Sequence, residues 1–198
     1  NLSNRNLVIN GAMLVAQRGT SSTTSGIHTV DRIGCDFGGA DENPTQEQVD
    51  VAAGTTPYSL GFRKAFKITN GNQTSGAGAS DYVRTDYKIE AQDVAGSGWN
   101  YTSSSSNITL SFWVKSSVSK DFNFLIHTTD GTAKLYPMTT GTLSADTWTK
   151  VTKTIPGNSN LQFDNDTGPG LLISIMCFFG PDYTDNSVSL NTWGPYVG

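Results

Sequence analysis

Proton transfer, nucleophilic attack and metal binding at neutral pH draw on His, Cys and grouped carboxylates, and this chain offers few of them. His28 and His127 are its only histidines. His127 follows Ile126 in a strand-like run and His28 ends a Ser/Thr-rich loop. Neither belongs to a triad or a metal motif. Cys35 and Cys177 are too few for a disulfide framework. Cys35 lies between Ile33 and Phe37 at strand spacing and Cys177 sits in the longest apolar run, so both read as buried free thiols. The carboxylates of Asp41-Glu42 and Asp164-Asn165-Asp166 fall in turn-rich stretches, where such groups cap and solvate. The expectation is a non-enzyme without a cofactor.

Two further constellations carry binding chemistry. Asp164 and Asp166, with Asn165 between them and Gly168 after, supply the oxygen ligands that calcium takes, though without the spacing or terminal Glu of an EF-hand loop. Asn and Asp beside Gly are equally the chemistry of a plain turn. Aromatic residues off the buried parity are the stronger pointer. Trp113 lies opposite in parity to Ile108, Leu110 and Phe112; Trp99 and Tyr101 lie in a Gly/Ser-rich segment; Tyr183 lies near the C-terminus. Indole and phenol faces stack on sugar C–H bonds while Asn, Asp and Gln bind hydroxyls, which is what a glycan-binding sandwich needs. The packing alternative is that Trp99 plugs an end of the sandwich and Trp113 meets a neighbouring chain.

The elements that must position these residues are strands. Val83, Thr85, Tyr87 and Ile89 alternate with Tyr82, Arg84, Asp86, Lys88 and Glu90, and Ile108 to Lys115 repeats the pattern. Similar runs occur at Ile33 to Phe37, Leu60 to Ile68, Phe122 to Thr128 and Trp148 to Ile155. Leu171 to Phe179 is apolar on both parities, as in a strand buried on both faces. Asp130-Gly131 between two such runs is a hairpin signal. Helical periodicity is nearly absent. The chain has 198 residues, of which 36 % are hydrophobic and 15 % charged, with 21 glycines. That supports one all-β domain, a jelly-roll sandwich of two antiparallel sheets. A net charge of −4 argues against a nucleic-acid partner, and no apolar run has the length of a membrane-inserted helix.

The segments Asn4–Met13 and Ala16–Ser21 resemble the start of a family of bacteriophage tail-fibre and related virion proteins. The resemblance continues at Val30-Asp31-Arg32, Tyr87–Val94 and Gly98-Trp99, is clearest over Ile108–Ser117, and returns at Trp148–Val151, Thr154–Gly157, Asp164-Asn165 and Gly170-Leu171. It implies a jelly roll similar to carbohydrate-binding modules, carried on the phage particle surface and adhering to host surface glycans through Trp99, Tyr101, Trp113 and Tyr183. A capsid-decorating or cement protein of the phage head is the alternative, and a free carbohydrate-binding module the third. The partners implied are other virion proteins and further copies of this chain, as a trimer. Where related modules carry an acidic residue after Asn-Gly for a structural calcium, Ala12-Met13 stands here. The family also continues with another strand and a tail, so residues 1–198 are expected to be one domain without its last strand, oligomeric or aggregation-prone, with an interface near the C-terminus.

Overall fold

The computed structural model describes residues 6–184 and 188–196. Its strands are, in chain order, β1 (Ser21–Ser22), β2 (Ile33–Gly38), β3 (Thr45–Asp50), β4 (Lys64–Thr69), β5 (Tyr82–Glu90), β6 (Asn107–Val114), β7 (Asn123–Thr128), β8 (Lys134–Thr139), β9 (Thr149–Pro156), β10 (Pro169–Phe179) and β11 (Gly194–Pro195). Among the described residues two short helices, α1 (Thr56–Ser59) and α2 (Ala91–Ala95), and a 3-10 turn at Pro181–Tyr183 accompany the strands. The protein is mostly β, with antiparallel sheets in the orders β1-β3-β4, β6-β9 and β11-β8-β7-β10-β5-β2.

The described residues group into two compact units, one made of residues 6–8, 88–173 and 188–196, the other of residues 9–87 and 174–184. In the first, β6 and β9 pair so that Ile108 faces Ile155 and Phe112 faces Val151. Side chains alternate across a strand, so this register puts the apolar set of both strands on one face. Ile155 is fully buried and Val151 nearly so. The Phe112 ring meets Phe124 of β7 edge to face, at 5.2 Å between centroids, and Met138 lies opposite Phe124 in the β7–β8 pair, also fully buried. Asp130-Gly131 turns that hairpin, with Gly131 at φ +60°, a region where a Cβ would be strained. In α2, Ala91 and Val94 are the buried positions, and the Ala91 and Gln92 N–H groups donate to the Gly168 and Asp166 carbonyls. Those donors have no partner within a first helical turn, and the loop supplies one.

In the second unit β2 pairs with β5, setting Cys35 opposite Thr85 and Asp36 opposite Arg84. Arg84 bonds Asp36 at 2.8 Å and Asp86 at 3.1 Å, so two carboxylates on this face share one guanidinium. Gln46 of β3 is buried to 1 %, yet its amide donates to the Thr24 and Gly26 carbonyls and accepts from the Thr29 hydroxyl. A buried amide without those bonds would cost about 1–3 kcal/mol. Cys35 and Cys177 are both free. Burial pushes each thiol up to about 12, with the neighbouring Cys177 adding to the shift at Cys35. Both are therefore protonated at neutral pH and poor nucleophiles.

Candidate ligand-binding site

Three aromatic rings converge in the second unit. Tyr82 opens β5, Phe179 closes β10 and Tyr183 ends the 3-10 turn that follows. Their centroids lie 6.2 Å (Tyr82–Phe179), 5.5 Å (Tyr82–Tyr183) and 5.2 Å (Phe179–Tyr183) apart. Tyr82 meets both other rings edge to face, and Phe179 and Tyr183 meet at a tilt, so the three restrict one another's orientation. Tyr183 remains 39 % exposed, so the cluster presents a face to solvent rather than filling a core.

The local sequence explains the convergence. Gly38 stands opposite Tyr82 in the β2–β5 pair, and a Cβ there would come within 2.8 Å of Tyr82 Cε1. Glycine thus clears the space over which the Tyr82 ring lies. Gly180 packs so closely on the preceding loop that a Cβ would stand 2.2 Å from the Ala79 carbonyl oxygen. Its N–H donates to Asp81 and the Asp182 N–H donates to Ala79, which stitches the Tyr183 turn to the segment leading into Tyr82.

A cleft of ≈ 110 Å³ opens beside Tyr82, between residues 38–40, the loop at 70–81 and Phe178. The loop is held by carboxylates. Asp41 accepts from the Ser75 N–H at 2.7 Å and from the Ser75 hydroxyl, and Glu42 accepts from the Asn72 N–H at 2.7 Å. The Asp81 carboxylate accepts from Gly78 N–H at 2.5 Å. Burial, reinforced by the negative charge of Asp36, holds the Tyr82 phenol above its usual range, with Arg84 opposing. The phenol is neutral at pH 7 and keeps a hydroxyl to donate.

The bonds from Ser75, its backbone N–H first and its hydroxyl second, hold the Asp41 carboxyl below the usual carboxylate range. A depressed value means that the ionised form ties the loop down. That tie is fully present above the ordinary Asp value of about 3.9 and is lost as pH falls through the lowered one. In an NMR titration, the Asp41 carboxyl carbon and the Ser75 amide are expected to move together with a shared midpoint below about 3.9. Separate midpoints would show that Asp41 does not hold the loop.

The aromatic residues singled out in the sequence fall differently. Trp99 is buried, 7 % exposed, and its indole N–H donates to the Ser106 carbonyl at 3.2 Å. Tyr101 and Phe163 pack on it, with 4.9 Å between the Tyr101 and Phe163 centroids. The Trp99 face is covered by this packing, so it offers no open platform. Trp113 is half-buried in β6 opposite Lys150. Tyr183 alone of the four joins the solvent-facing cluster. Asp166 accepts from the Gly168 N–H and Asp164 accepts from Gln162, both inside their own turn. Among the described residues no three His, Cys, Asp or Glu side chains gather as a metal site. Tyr82 and Phe179 escaped the sequence reading, although Tyr82 sits on the polar parity of its strand, beside Arg84.

No protein-family model matches the chain, and comparison with curated proteins finds no match.

Proposed function

We propose that this chain is a non-enzymatic bacteriophage virion protein that adheres to host surface glycans, built on a jelly roll like that of carbohydrate-binding modules. The observation that carries the adhesion is the Tyr82–Phe179–Tyr183 cluster beside a cleft whose rim holds an amide and a carboxylate. Aromatic faces take the C–H side of a pyranose and the rim groups take its polar side. The resemblance of the sequence to tail-fibre proteins supplies the virion setting, and with it assembly into trimers and onto other virion proteins. On a particle carrying many copies, weak sites act together through avidity.

The test is a glycan array probed with the purified chain, together with antibody labelling of phage particles. Binding to bacterial surface glycans and label on the fibres are expected. Silence across the array with label on the head lattice would replace adhesion by capsid decoration.

A further inference from the structure

The geometry points to the cleft beside Tyr82 as a subsite for the acetamido group of a 2-acetamido sugar. This inference rests on the glycan reading above and adds the class of sugar. At ≈ 110 Å³ the cleft is well below the roughly 300–1,000 Å³ of sites that enclose a drug-sized ligand. It takes a substituent while the ring stays outside on the aromatic cluster.

The lining says which substituent. Ala40, Ala77, Val83 and Phe178 make the wall apolar, and Asn70 and Asp81 supply the polar atoms. A hydroxyl pushed against the apolar part of that wall loses water without regaining a partner there, and an ammonium would pair with Asp81 but leave the apolar wall unfilled. A methyl group gains by the same move. An acetamido group brings one methyl, one N–H donor and one carbonyl acceptor together. Asp81 uses a carboxylate oxygen on Gly78 and, with about four lone-pair positions on the group, still has capacity for an N–H. The Asn70 side-chain amide has no hydrogen-bond partner among the described residues and offers its N–H groups to a carbonyl. Gln73, by contrast, is committed: its oxygen accepts from Asp41 N–H and its nitrogen donates to the Glu42 and Gly71 carbonyls. It shapes the cleft and does not read the ligand. Tyr82 belongs to both the cleft and the aromatic cluster, which places ring and substituent side by side.

The experiment compares matched sugars that differ at one position. Chitotriose, the glucosamine trimer and cellotriose share ring and linkage and carry acetamido, ammonium and hydroxyl groups at C2. N-acetylgalactosamine and galactose give the same contrast on the other common ring. Affinities for the full chain are measured by NMR titration, with saturation transfer to locate the contact. The acetamido member of at least one series should bind tenfold or more tightly than its hydroxyl partner, with the acetyl methyl receiving the strongest transfer. Ala77→Leu, which fills the cleft, and Asn70→Ala, which removes the donor, should each abolish the preference with the melting temperature unchanged. Equal affinities within both series, or a preference for a 6-deoxy sugar on the array, would overturn the acetamido subsite and leave glycan adhesion standing. Silence toward these sugars and the whole array would overturn both.

Discussion

Phe124→Ala will cost about 3–5 kcal/mol of folding stability, the range for emptying a large aromatic site in a core. Phe124 is fully buried; the Phe112 ring stands edge-on to it, and Met138 faces it across the β7–β8 pair. Removing the ring leaves a void bordered by two side chains that are themselves fixed by strand pairing, so collapse around it is limited. Proteins of this size are stable by about 5–15 kcal/mol in total. The loss is thus a large fraction, and at about 2–4 °C per kcal/mol it corresponds to roughly 6–20 °C in Tm. Phe124→Leu, which keeps most of the volume, is expected to cost less than half as much. Ser111→Ala on the exposed parity of β6 should stay within about 0.5 kcal/mol. Chemical denaturation of the three variants checks the ordering. A Phe124→Ala chain as stable as the parent would mean that the two rings do not anchor the core.

That core was legible because it is written at period two. The runs at 83–90 and 108–115 became β5 and β6, and the apolar stretch from Leu171 lies inside β10, where Leu171, Leu172, Ser174 and Met176 are buried. Asp130-Gly131 marked the β7–β8 hairpin for a local reason, the positive φ that glycine accepts. The helix at Ala91–Ala95 escaped because five residues are little more than one turn, too few to show a helical period. The site was hidden for a different reason. Tyr82 and Phe179 stand at the ends of strands far apart in sequence that become neighbours in the sheet, and the clearance at Gly38 and the tight seating of Gly180 on Ala79 shape the place where their rings meet. Trp99 follows the packing alternative, since despite its Gly/Ser-rich setting it is buried. Its indole is enclosed by Tyr101, from the turn beside it, and by Phe163.

That contrast makes the second large effect a discriminating one. Replacing both Tyr82 and Tyr183 by alanine is expected to weaken glycan binding by roughly 5- to 150-fold. The range follows from two ring contacts at about 0.5–1.5 kcal/mol each, with tenfold for every 1.4 kcal/mol. Tyr183→Ala alone should give the smaller share with the melting temperature barely moved, since the residue is 39 % exposed. Tyr183→Phe should restore most of the affinity if the ring face makes the contact, and little of it if the hydroxyl does. Trp99→Ala is expected to behave in the opposite way. It removes an indole that is 7 % exposed and bonded to Ser106, so stability should fall by about 3–5 kcal/mol. Affinity measured well below the lowered transition should be unchanged. Paired melting curves and titrations therefore separate a platform from a plug. If Trp99→Ala lost the ligand while the double tyrosine variant kept it, the binding face would belong to the Trp99–Tyr101–Phe163 packing, and the cluster at Tyr82 would be structural.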